Sequence, residues 1–182
     1  MVIGFDTGTG MPSPLDFRDH PEQYHEGDFP MYDKEKLIAS LPSNAKLYLG
    51  DIEERLTDLF SELPSDYKIG FISIDLDYYS STKKALEVLK NDADWYLPLV
   101  PMYFDDVNDF THNEYCGELL AIKEFNKDKN KWRKITKLSQ LKVWRLFKHP
   151  FWLDRMYLGH IFDSRYRAPK KRNAIVLDNP YL

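Results

Sequence analysis

Ile69-Gly70-Phe71-Ile72-Ser73-Ile74-Asp75-Leu76-Asp77 is the stretch that decides the fold class. Residues 69–74 are almost continuously apolar, the pattern of a strand buried on both faces in a parallel sheet, and the run stops at an acid. On its C-terminal side, Ser80 or Ser81 can cap a helix whose buried stripe is Ala85, Leu86 and Leu89. A further strand, 99–104, then ends at Asp105-Asp106. On its N-terminal side, Asp51 caps a helix carrying Leu56, Leu59, Phe60 and Leu63 at helical spacing, with Glu54 placed for a capping box. That helix follows a strand at 46–49 that stops at Gly50, and a short helix at 33–41 is closed by Pro42.

The chain opens with Val2-Ile3-Gly4-Phe5, a strand ending at Asp6, after which Gly8, Gly10, Pro12 and Pro14 forbid a regular element. Residues 16–30 mix charges, prolines and histidines without period and read as a long surface loop. The alternation of strands and helices predicts a three-layer, Rossmann-like α/β fold, a parallel sheet with helices on both faces. A helix at 114–125, a Lys-rich turn at 126–134 and an antiparallel edge hairpin from 135–138 and 141–147 complete the prediction; beyond Pro150 the pattern assigns no element.

At 182 residues the chain suits one domain, 1–182, with no linker or repeat. No window is apolar enough for a membrane span, and the start lacks the pattern of a secretory signal, so a cytoplasmic protein is expected. The single cysteine, Cys116, excludes an internal disulfide. A net charge of −4 argues against nonspecific nucleic-acid binding, although residues 123–148 and 165–172 are locally basic. Aromatic residues, 15% of the chain, gather late at Phe147, Phe151, Trp152, Tyr157, Phe162 and Tyr166, as core or as a partner surface. Self-association is left open.

In parallel α/β sheets ligands bind beyond the carboxyl ends of the strands, and here those ends carry acids: Asp6, Asp51, Asp75 and Asp105. Adjacent strands would bring Asp75 and Asp77 close to Asp105 and Asp106, where the carboxylates repel unless shared protons or a cation compensates them. A hard divalent ion such as Mg²⁺ is the economical solution. The bland alternative, acids that only cap helices or end strands, suits Asp109 and Asp128 better than this paired set. Asp6-Thr7-Gly8-Thr9 matches the short aspartic-protease signature, but such an enzyme is nearly all β. Asp75-Leu76-Asp77 with a later acid pair also suits haloacid-dehalogenase-type phosphatases, although Tyr79 departs from their motif and the interval leaves little room for their other elements. None of the histidines has zinc-ligand spacing; His20 and His25, on the long loop, are the two placed to orient a substrate hydroxyl or take its proton.

Phe5-Asp6-Thr7 with Gly10-Met11-Pro12, Leu49-Gly50-Asp51-Ile52, Ile74-Asp75-Leu76-Asp77-Tyr78-Tyr79-Ser80-Ser81-Thr82 and Phe104-Asp105-Asp106 together resemble the macrocin O-methyltransferase family of S-adenosylmethionine-dependent enzymes, over residues 2–126. The resemblance implies the class I methyltransferase sheet. It implies that Asp6 binds the cofactor ribose and that Asp51 and Ile52 lie beside the adenine. It implies that Asp75, Asp105 and Asp106 hold Mg²⁺, with Asp77 a further ligand or general base and, with Asp75, a catalytic carboxylate. The small-molecule acceptor would be a hydroxyl of a sugar or natural product. The first strand, Gly-rich turn and first helix of that fold have no counterpart here, because the chain's first strand corresponds to the family's second. The expectation is therefore a fragment of a longer protein or a degenerate member, and a non-catalytic binding or interaction domain is the rival reading.

Overall fold

Apolar runs that end at an acid or a glycine become two parallel strand pairs. In the computed structural model, which describes residues 1–108, 111, 113–129, 131–140 and 150–169, β1 (Val2–Asp6) pairs in parallel with β2 (Ala45–Leu49). The Phe5 ring stacks on Tyr48, with centroids 5.3 Å apart, so that the two strands are also held through one face. Between them runs α1 (Lys34–Ser40), started by the Asp33 carboxylate accepting the Lys36 N–H. Behind β2 comes α2 (Ile52–Glu62), capped by Asp51 as its sequence predicts and burying Leu56 and Leu59.

The second ladder begins with β3 (Ile72–Ile74), parallel to β4 (Leu99–Phe104). It continues antiparallel through β6 (Met156–Ile161) to β5 (Arg133–Lys137), in the order β3-β4-β6-β5. Two helices serve it: α3 (Tyr79–Ala85), prolonged by a 3-10 turn at Leu86–Lys90, and α4 (Gly117–Lys127). The fold is thus mixed α/β, with parallel pairs and antiparallel strands. No helix among the described residues is long and apolar enough to cross a membrane.

Three expectations change. The strand predicted over 69–74 is shorter, because Ile69 bonds to the segment before β4, its N–H to Trp95 O at 2.8 Å, and only Ile72–Ile74 joins the ladder. Nor is it covered on both faces: Phe71 is 55% exposed and Ser73 is exposed too. Among the described residues β1 and β3 share no ladder, so the parallel strands form two separate sheets in place of one. Second, the edge strand β5 is real, but its partner is β6 from beyond Pro150; the expected partner at 141–147 lies outside the described residues. The six apolar-rich residues of β6 alternate cleanly, with Tyr157, Gly159 and Ile161 buried. Third, neither Ser80 nor Ser81 caps α3. Tyr78 stands at that position without a side-chain bond, and Asp19 reaches over from the long loop to accept the Ser80 N–H at 2.8 Å.

The core lies around β4, where Val100, Met102 and Phe104 are fully buried against Leu86, Leu89, Ile135 and Ile161. Phe104 meets Tyr157 edge to face at 5.1 Å. Each such side chain contributes roughly 1.5–3 kcal/mol through burial. Of the late aromatics, Tyr157 joins this core, while Phe151, Phe162 and Tyr166 remain exposed. The guanidinium of Arg133, sunk beside it, is satisfied by Leu89 O at 2.8 Å, Asn91 O at 3.0 Å and the Asp163 carboxylate.

Candidate metal centre

Strand register sets the site. In the parallel β3–β4 pair Ile74 lies opposite Phe104, and the Asp105 N–H donates to Ile74 O at 3.0 Å, so Asp75 and Asp105 leave their strands side by side. One carboxylate oxygen from each of Asp75, Asp105 and Asp106 falls within 4.8 Å of the others. Asp77 follows in a left-handed conformation (φ 54°) and donates its N–H to Asp106 Oδ2 at 3.2 Å. A non-glycine residue held there is strained, and such strain concentrates at functional sites.

The acids are not equivalent. Asp106 is 5% exposed; burial first, then the charges of Asp77, Asp75 and Asp105, push its carboxyl up to about 7. Asp75, at the rim, is raised by partial burial and then by Asp105 and Asp77. For Asp105, burial acts upward, but the Tyr103 hydroxyl at 2.6 Å and the Arg155 guanidinium outweigh it and hold the carboxyl below its usual range. Three clustered oxygens, one of them on a carboxyl that resists ionising beside the rest, form the hard donor set that a divalent cation stabilises. On that chemistry the residues fit a hard divalent cation such as Mg²⁺.

The acids floor a cavity of about 480 Å³, an ordinary size for a small-molecule site. Asp6 and Phe5 from the end of β1 form one wall; Gly10, Met11 and Pro12 of the turn after β1, with Tyr24, Asp28 and Phe29 of the long loop, form the roof. The roof is tied at its neck, Met11 N–H to Asp28 O and Gly27 N–H to Met11 O, each 2.8 Å. Gly10 is required in that neck, since its φ is +96° and a Cβ would lie 2.6 Å from two carbonyl oxygens. Asp6 turns back to accept the Gly8 N–H through Oδ1 at 2.5 Å.

Asp6, Asp75, Asp77, Asp105 and Asp106 therefore meet in one cavity. Asp51 and Ile52 do not line it. The Asp51 carboxylate caps α2 and pairs with Lys84 Nζ at 2.8 Å, which lowers its pKa. The two loop histidines are also outside the cavity wall: His20 is buried with Nδ1 3.1 Å from Glu22, and His25 is exposed beside Asp28. The loop contributes Tyr24, Asp28 and Phe29 instead. Sequence reasoning also missed Tyr103, Arg155 and Glu118. Arg155 arrives from a segment with no readable period. Glu118 carried a visible signal, a charge on the buried stripe of α4 that Ala121, Ile122 and Phe125 continue.

No protein-family model, curated protein or solved structure matches the chain.

Proposed function

We propose that the chain is a Rossmann-like methyltransferase domain and that its cavity serves Mg²⁺-assisted O-methyl transfer from S-adenosylmethionine to a sugar- or natural-product-type hydroxyl. The observation that carries this reading is the convergence of Asp75, Asp105 and Asp106, with ligand oxygens within 4.8 Å, at the carboxyl ends of two paired strands. When bound, Mg²⁺ lowers the pKa of a coordinated hydroxyl and S-adenosylmethionine supplies an electrophilic methyl group. Asp75, Asp105 and Asp106 would hold the ion and orient neighbouring substrate oxygens. Asp77, fixed by its N–H bond to Asp106, would take the hydroxyl proton as general base. Asp6 would receive the ribose hydroxyls at the cavity wall. Most of the rate would come from positioning.

A second reading is favoured by the break between β1 and β3 and by the place of Asp51 and Ile52 outside the cavity wall. In it the domain keeps the metal-binding half of the site and binds without catalysing. Calorimetric titration with S-adenosylmethionine, with and without Mg²⁺, separates the two. Methyltransferase function requires that the cofactor bind, and Mg²⁺ binding without any cofactor binding selects the binding domain. Absence of Mg²⁺ binding overturns the metal centre. Aryl phosphate hydrolysis lost in Asp75→Asn would select a phosphatase instead.

A further inference from the structure

Glu118 stands where α4 calls for an apolar side chain. It shares the helix's buried stripe with Ala121, Ile122 and Phe125 and is itself 0% exposed. A carboxylate in such a place is destabilising unless it organises its surroundings. Oε2 accepts the Asp106 N–H at 3.0 Å, and the Leu76 N–H faces the same carboxylate, so that one side chain addresses the turns after both β3 and β4. The other oxygen, Oε1, is fully buried with no hydrogen-bond partner, and the carboxyl group is near enough to Asp106 and Asp75 for their charges to act on it. A core built only for stability would place an aliphatic residue here and leave the two amides to other acceptors.

We propose that Glu118 is a positioning residue for the metal centre: through backbone amides, it holds the Asp75–Asp77 and Asp105–Asp106 turns at the separation at which their carboxylates share one divalent ion. The inference rests on the metal-centre reading above and assigns Glu118 no ligand bond. Outer partners that fix metal ligands in this way set affinity by about 10–100-fold.

The test is Mg²⁺ titration calorimetry of the wild type, Glu118→Gln and the control Glu124→Gln, each also melted in EDTA. Glu118→Gln keeps the shape but leaves one accepting oxygen in place of two, with an NH₂ group in the other position. It is expected to weaken the Mg²⁺ Kd about 10-fold or more, while Glu124→Gln leaves it unchanged. A purely structural role would lower the melting temperature in EDTA and spare the Kd; a Kd within about twofold of wild type overturns the proposal. If the Gln variant does not fold, Glu118→Asp, which keeps the carboxyl group and loses the reach, separates the same two outcomes. A wild type that binds no Mg²⁺ at all sinks the metal centre itself, a result distinct from either.

Discussion

Replacing Asp106 by Asn should make the metal-free protein more stable while removing its response to metal. The carboxyl moves from its ordinary 3.8 to about 7 on folding, about 3 units, and at about 1.4 kcal/mol per unit the ionised form costs ~4 kcal/mol at most. Asn has no charge for Asp75, Asp77 and Asp105 to repel, and its amide oxygen can still accept the Asp77 N–H. Burying the amide has its own cost, so a gain of about 2 kcal/mol is expected, worth about 4–8 °C in a chain of this size. The pH dependence gives the sign. A carboxyl whose folded pKa is raised contributes its full stability below 3.8 and loses it as pH rises through about 7. The advantage of Asn should therefore be greatest at about pH 8 and fade towards about pH 4. Urea unfolding in EDTA across that range, repeated with Mg²⁺, is the assay. An Asn variant no more stable than wild type at the alkaline end, parallel curves across pH, or continued stabilisation of the variant by Mg²⁺ would each refute this account of Asp106.

Two further outcomes test the frame around the site. Gly10→Ala should force the roof's neck apart, at about 1–3 kcal/mol of strain, lowering the melting temperature and speeding proteolysis within the loop; unchanged melting would mean the neck is not as tight as described. Phe104→Ala, at the centre of the core, should cost about 3–5 kcal/mol in urea titration, and a loss below about 1 kcal/mol would contradict its full burial.

The parts of this protein that could be read from its sequence are those governed by local pattern. β4 runs over the residues its apolar stretch predicts, and Asp51 caps α2, because strand periodicity and capping are properties of a few consecutive residues. The acid cluster was legible for a related reason: once β3 and β4 are parallel neighbours, their register brings Asp75 to Asp105. What escaped depends on partners distant in the chain. Asp19 caps a helix that begins with Tyr79, Arg155 reaches Asp105 from beyond β5, and β6 inserts between β4 and β5. No local spacing encodes these meetings. Continuous apolarity at 69–74 misled about burial, because it reports what a strand can bury and says nothing of whether a neighbour arrives to cover it.

The Asp19 carboxylate ties the long loop to the first turn of α3. Oδ2 holds the Leu15 N–H at 2.9 Å and Oδ1 holds the Ser80 N–H at 2.8 Å, with Asp19 itself 1% exposed. Were the loop to part from α3, the Ser80 amide would lose its acceptor in the same event. The hydrogen-exchange rate of that single amide is thus a clock for how often the loop and α3 separate, and anything that holds them together should slow it.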